Sequence, residues 1–361
     1  MPFRLTLAIW CALTGAFAAT KTQNVILVTA DGLRWQELFT GIDPLLMTQK
    51  AAGMDKADAL RQRLWRETPE ERRRTLMPFF WNELARRGVV LGNVNKNSSV
   101  QVTNAYRVSY PGYSEILTGR AQDEKVRGND AIPNPTETIL EFLRTKLRMT
   151  TSPALFGSWE TFHSIGASRP DTVKINAGYR KAEGSERMKE LSALQSKIMT
   201  PWDTVRHDYI TFEMAMEHIR MARPRVAYIA LGETDDWAHD RRYDRVLQAI
   251  EYFDGALRDL WTLIQSSPHY RDSTSLVITV DHGRGSTVED WHGHGSKVKG
   301  AEQIWIAIAG PDTPGRGELS NTPPVFQRDV APTILDLLDI DYREYRGVLG
   351  KPIPAAKSTS N

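Results

Sequence analysis

Cysteine is nearly absent, with Cys11 the only one in 361 residues. One thiol cannot form an internal disulfide, and it cannot build a thiolate cage for a structural zinc. Any metal must therefore be held by carboxylate, imidazole or hydroxyl groups. Charge of one sign is not in excess either, at 46 Lys and Arg against 44 Asp and Glu. A net +2 gives no electrostatic footprint for nucleic acid or an acidic membrane. Repeats and low-complexity tracts are missing, which excludes solenoids and arrays. No apolar run reaches the ~20 residues of a membrane span. The run Leu5 to Leu13 follows Arg4 and precedes the small-x-small pattern Ala16-Phe17-Ala18, so residues 1–18 are expected to be a signal peptide with no stable membrane anchor left after cleavage. That implies a periplasmic or secreted protein. What remains, 41% hydrophobic and 25% charged, is ordinary globular composition. It fits a single catalytic-sized domain over residues 19–361.

Several stretches read as buried strands. Asn24 to Ala30, Arg225 to Leu231 and Ser275 to Val280 are continuous, β-branched apolar runs, the signature of a parallel sheet covered on both faces. Val89 to Leu91 and Gln303 to Ala309 are further strands. Helical periodicity runs over Thr75 to Arg87, Thr136 to Leu147, Asp203 to Met221 and Phe326 to Leu338. A long helix carries Val246, Ile250, Phe253, Leu257, Leu260 and Ile264 on one stripe. The charged run Glu70 to Arg74 reads as a solvated helix face. Residues 151–200 hold only short strand candidates, and read as a loop-rich excursion that lines a substrate pocket. Strands alternating with helices predict an α/β fold, a three-layer αβα arrangement around a mostly parallel sheet.

Three of these strands empty into an acid. Asp31-Gly32 follows the first, Gly232 to His239 with Asp235 follows the second, and Asp281-His282-Gly283 follows the third. Ligands bind beyond the carboxyl ends of strands in such sheets. Two of the loops add His239 and His282, and a fourth, glycine-rich loop adds His292 and His294. Oxygen and imidazole donors without thiolate suit Zn²⁺ at a catalytic site, with Mn²⁺ or Mg²⁺ as alternatives. The remaining histidines, His163, His207, His218 and His269, lack such context and read as structural or surface groups. Ser109 stands before the turn-prone pair Pro111-Gly112 and a short helical stretch closed by Thr118-Gly119. A hydroxyl at a helix N-terminus can attack an anion, although serine there is also an ordinary cap.

With these motifs assembled, the chain resembles the alkaline phosphatase superfamily over most of residues 24–340. Asn24 to Gly32 matches the first strand and its metal-binding acid, and Ser109 stands where the family keeps its nucleophile. Asp235-x-x-x-His239 and Asp281-His282-Gly283 match the next two metal motifs, and Arg328 to Leu338 looks like the closing helix. The resemblance implies two divalent metal ions. One would take Asp235, His239 and a late histidine, for which His294 is preferred and His292 is the alternative. The other would take Asp31, Ser109, Asp281 and His282. It further implies a phosphoseryl intermediate, with Asn129 and the backbone N–H groups after Ser109 binding a phosphoryl oxygen. The implied activity is phosphoric ester hydrolysis, on a small-molecule phosphate monoester or diester. Arg107, Arg169, Arg180 and Lys181 are the cations that could favour a monoester.

Two rival readings remain open on the sequence. Ser109-x-Pro111-Gly112 with Leu117-Thr-Gly-Arg120 also resembles a sulfatase signature. That signature carries arginine where this chain has Tyr113, and its nucleophile becomes an aldehyde hydrate. Tyr113 is expected to pack on the helix start or meet the leaving group with its ring. The second rival is a metal-dependent binding protein without turnover.

Overall fold

The computed structural model describes residues 21–48, 52–54 and 57–358. The expected signal peptide and Cys11 lie outside the described residues. The strands are β1 (Asn24–Ala30), β2 (Gly88–Leu91), β3 (Val100–Gln101), β4 (Ala154–Gly157), β5 (Lys174–Ala177), β6 (Val226–Leu231), β7 (Thr274–Thr279), β8 (Gln303–Ile304), β9 (Ile306–Ala309), β10 (Gly317–Glu318) and β11 (Val325–Phe326). Eight of them form one sheet in the order β10-β2-β9-β7-β1-β6-β4-β5, and β11-β3-β8 form a small second sheet. In the large sheet only β9 runs against its neighbours. Every residue of β1, β6 and β7 is buried. Their apolar runs have no polar face to offer water, so helices must cover both sides. The expected αβα architecture with a mostly parallel sheet is the one observed.

The expected stripe lies on the Tyr243–Ser266 helix, where Val246, Ile250, Phe253, Leu257, Leu260 and Ile264 are all buried. Other stretches differ from the expectation, each for a local reason. The helix expected over residues 75–87 instead spans Pro69–Leu76, followed by a π-helical turn at Phe80–Leu84 and a 3-10 turn at Ala85–Arg87. Met77 precedes Pro78, which disfavours helical backbone before it, and Met77 sits at φ −130° and ψ 69°. The charged run is not wholly solvated. Arg72 and Arg73 are buried, with the Arg73 guanidinium 3.7 Å over the Trp81 ring and 3.0 Å from Glu318. The Arg73 terminal nitrogens thus meet a carboxylate and the guanidinium plane an aromatic ring, so its stem can pack.

Residues 151–200 are less of an excursion than expected. They supply β4 and β5, which pair in parallel and extend the sheet from β6. Four-residue strands leave little periodicity to read, and β5 lies at the sheet edge with an exposed residue in its pattern. The run 303–309 splits between the two sheets at Trp305, whose indole N–H donates to Leu33 O at 3.0 Å. The last helix begins later than expected, at Val330, because Val325–Phe326 pair with β3 and Gln327–Asp329 form a 3-10 turn.

Candidate metal centre

The three strands that empty into acids are immediate neighbours, β7-β1-β6, at the middle of the sheet. Parallel neighbours lie ~4.8 Å apart, so acids just beyond their carboxyl ends converge. Asp31 directly follows β1, Asp281 comes two residues after β7, and Asp235 sits on the Glu233–His239 helix after β6. Gly32 turns the chain at φ +57°, and its N–H donates to Asp281 Oδ1 at 3.0 Å. Two ligand groups result: Asp31, Asp281 and His282, and Asp235, His282 and His294, each with donor atoms within 4.8 Å of one another. His282 Nε2 lies 3.4 Å from Asp31 Oδ1, 3.3 Å from Asp281 Oδ2 and 3.7 Å from Asp235 Oδ1. It thus reaches both groups, where the resemblance assigned it to one. His239 Nε2 completes the second group, 3.1 Å from Asp235 Oδ2 and 3.0 Å from His294 Nε2.

The imidazoles are aimed. His282 Nδ1 is 3.0 Å from Gly283 O, and His294 Nδ1 is 3.1 Å from Arg107 O. A carbonyl only accepts, so each Nδ1 carries the proton and each Nε2 turns a lone pair to the cluster. The rings stack with centroids 3.8 Å apart. Burial holds both histidines below the usual imidazole range. The acids are pushed the other way. Burial raises Asp31, with the Asp281 charge adding to it, and burial raises Asp281 to about 7. Asp31 Oδ1 and Asp281 Oδ2 are buried without a hydrogen-bond partner. Orphaned carboxylate oxygens beside neutral, inward-facing imidazoles are the complement of a divalent cation. The residues present fit such an ion, and their oxygen and nitrogen donors suit zinc, manganese or magnesium.

Ser109 opens a ten-residue helix, Ser109–Thr118, and its Oγ is 3.3 Å from His282 Nε2. The helix does not break at Pro111-Gly112 as the sequence suggested. Proline is tolerated in a first turn, and a Cβ on Gly112 would fall 2.1 Å from Asp281 O, so only glycine lets the helix lie against the end of β7. Glu115, fully buried, holds the preceding loop by accepting from the backbone N–H of Thr103 and Asn104 and from Arg328 N–H. The backbone N–H groups after Ser109 are not available to an anion. Asn129 Oδ1 accepts from Tyr110 N–H at 3.0 Å, Pro111 has none, and Gly112 N–H bonds Val108 O at 3.1 Å. Asn129 is thereby fixed at the helix start, with its amide NH₂ left as the donor.

Tyr113 does not face outward. It is buried, its ring lies 4.6 Å from Phe162, and its hydroxyl donates to Asp31 Oδ2 at 2.9 Å. Burial, with the Asp281 and Asp31 charges, keeps that phenol protonated. Among the monoester cations, Arg107 pairs with Glu302 at 2.9 Å, and Arg169 pairs with Glu137 at 2.9 Å. His292 lies outside both ligand groups, with its ring edge-on to Trp291. His294→Ala should accordingly lose one of two bound ions and most turnover. His292→Ala should retain both ions, as counted by elemental analysis, and the reverse result would reassign the ligand.

Sequence reasoning missed Arg284. Its side chain is 1% exposed and is ion-paired with Asp235 Oδ1. It also missed Gln327, fully buried, whose amide donates to Asp281 O at 2.6 Å and supports that loop from below. Neither carries a local signal beyond its place beside a motif.

Sheet, helices and an acid–imidazole cluster at the carboxyl ends of its central strands define the class: an α/β fold of the alkaline-phosphatase kind. Residues 180–342 match a family model described as Metalloenzyme superfamily. That stretch contains Asp235, His239, Asp281, His282 and His294. The chain is similar in structure to the wild-type alkaline phosphatase PafA, at TM-score 0.62 and 11% identity, covering 95% of this chain and 100% of that one. It is similar to the phosphonate monoester hydrolase of Agrobacterium radiobacter, at TM-score 0.53 and 15% identity, over 94% of this chain and 78% of that one. A 2-O GAG sulfatase matches at TM-score 0.55 and 14% identity, over 94% and 76%. At these identities the likeness shows the fold. Comparison with curated proteins found no match. The expected alkaline-phosphatase-like fold is thus the one observed, and the metalloenzyme model covers residues 180–342 of the chain. Among the described residues, no helix is long and apolar enough to cross a membrane.

Proposed function

We propose that the protein hydrolyses phosphoric esters through Ser109, in a centre that binds two divalent cations. The observation that carries this reading is the position of Ser109 Oγ. It lies at a helix N-terminus, 3.3 Å from a histidine whose Nε2 also faces three carboxylates. The cations, zinc foremost, would lower the pKa of the Ser109 hydroxyl and neutralise charge on the leaving oxygen. Ser109 Oγ would bond to phosphorus as the ester P–O bond breaks, giving a phosphoseryl enzyme and an alcohol. Water would then take the phosphoryl group and return the serine. Asn129, fixed by its bond from Tyr110 N–H, would offer its amide NH₂ to a non-bridging oxygen. Tyr113 would hold the Asp31 carboxylate by one oxygen and leave the other for a cation. With the signal peptide expected over residues 1–18, the enzyme would work in the periplasm or outside the cell.

Sulfate ester hydrolysis is the second reading, favoured by the spacing around Ser109. Tyr113 speaks against it, because a buried neutral phenol bonded to Asp31 cannot do the work of an arginine. The test compares zinc-loaded protein on aryl phosphate, bis-aryl phosphate and aryl sulfate. One of the two phosphoric esters should be turned over fastest. Faster turnover of the sulfate, with an aldehyde at position 109, would overturn the proposal.

A further inference from the structure

We infer that Arg284 is a positioning residue that assembles the metal centre, tying the three segments that follow β1, β6 and β7 together through one guanidinium. The inference rests on the metal reading above and adds a residue to it. Arg284 lies two residues beyond His282, in the loop that leaves β7, and it is buried. Its Nε donates to Gly32 O at 3.2 Å, next to Asp31. One terminal nitrogen donates to Asp235 O at 3.2 Å and to the Asp235 carboxylate. The other donates to His292 O, two residues before His294. The three segments bearing acid or imidazole ligands, those after β1, β6 and β7, are thus each held at a point within two residues of a ligand.

The geometry demands arginine. A planar fork with five donors can reach three carbonyls and a carboxylate from one buried place, whereas an ammonium is a single point charge. Space for the fork is made at Gly32. A Cβ there would fall 2.8 Å from both Arg284 Nε and Asp235 Oδ1, at a φ of +57° that side chains rarely adopt. The charge has a consequence too. The guanidinium fixes the orientation of the Asp235 carboxylate, whose Oδ2 lies 3.1 Å from His239 Nε2 and whose Oδ1 lies 3.7 Å from His282 Nε2 and 3.8 Å from His294 Nε2. A fixed cation also offsets one of three clustered carboxylates, which lessens their repulsion before any ion binds.

The test uses the full-length protein and zinc alone as the probe, with affinity measured by chelator competition. Partners that orient metal ligands typically change affinity by about 10–100-fold. Arg284→Met and Gly32→Ala should each weaken one zinc ion by that factor and leave the second ion bound. Gly32→Ala keeps the arginine but displaces its fork, so it tests the role where Arg284→Met fails to fold. Arg284→Lys should recover only part of the loss. Two ions held at wild-type affinity in Arg284→Met or Gly32→Ala would overturn the inference, and so would equal weakening of both ions in step with lost thermal stability. Wild-type protein that takes up no zinc would overturn the metal reading itself, and this role with it.

Discussion

Ser109→Ala should lower aryl phosphate turnover by roughly 10³-fold or more, the scale of nucleophile deletions in other hydrolases. The substitution is a clean one. Val108 is the N-cap of the Ser109–Thr118 helix, and no side chain caps it, so alanine at Ser109 removes no helix-starting bond. Alanine is also the best helix former. Thermal stability should therefore stay close to wild type while turnover falls. The Asp31, Asp281 and His282 donors remain in place, so ions should still bind, with one oxygen ligand fewer. Some activity should survive, because bound cations can activate water directly. Acid quenching of wild-type enzyme during turnover of labelled substrate should leave phosphate on the Ser109 peptide, and the alanine variant should leave none. Near-wild-type turnover by Ser109→Ala would remove the serine from the mechanism.

The parts of this centre that the sequence displayed are those encoded by local contrast. An unbroken apolar strand that stops at an acid, as at Asp31 and Asp281, is visible without a fold. So are a histidine four residues after Asp235 and a histidine between glycines. Such signals need no knowledge of what lies across the sheet. Contacts between distant residues leave no such mark. Tyr113 reaches Asp31 across 82 residues, and Arg284 reaches Asp235 across 49. In sequence, one is an aromatic in an apolar stretch and the other a charge in a glycine-rich loop. The same limit explains the fold differences. Strands β4 and β5 are too short to show a period, and Arg73 looks solvated until Trp81 and Glu318 are brought beside it. Even the backbone donors after Ser109 were misjudged, because their spending depends on Asn129, twenty residues on in the chain.

Removing the divalent ions should abolish turnover and lower thermal stability together. The two losses have one cause, the buried acids. Asp31 and Asp281 are pushed toward protonation by burial, and each keeps an oxygen with no hydrogen-bond partner. Without a cation, folding at neutral pH must bury this cluster uncompensated, or else take up protons. With a cation, the same oxygens and the inward lone pairs of His282 and His294 are satisfied. An ion present at 1,000 times its dissociation constant stabilises the folded state by about 4.1 kcal/mol. For a domain of this size that corresponds to roughly 6 °C in Tm. Chelator-treated protein, checked by elemental analysis, should show both losses, and added zinc should reverse both. Loss of activity with Tm unchanged would mean that the ions act on substrate without compensating the buried acids. Full turnover with no ion bound would sink the two-cation mechanism.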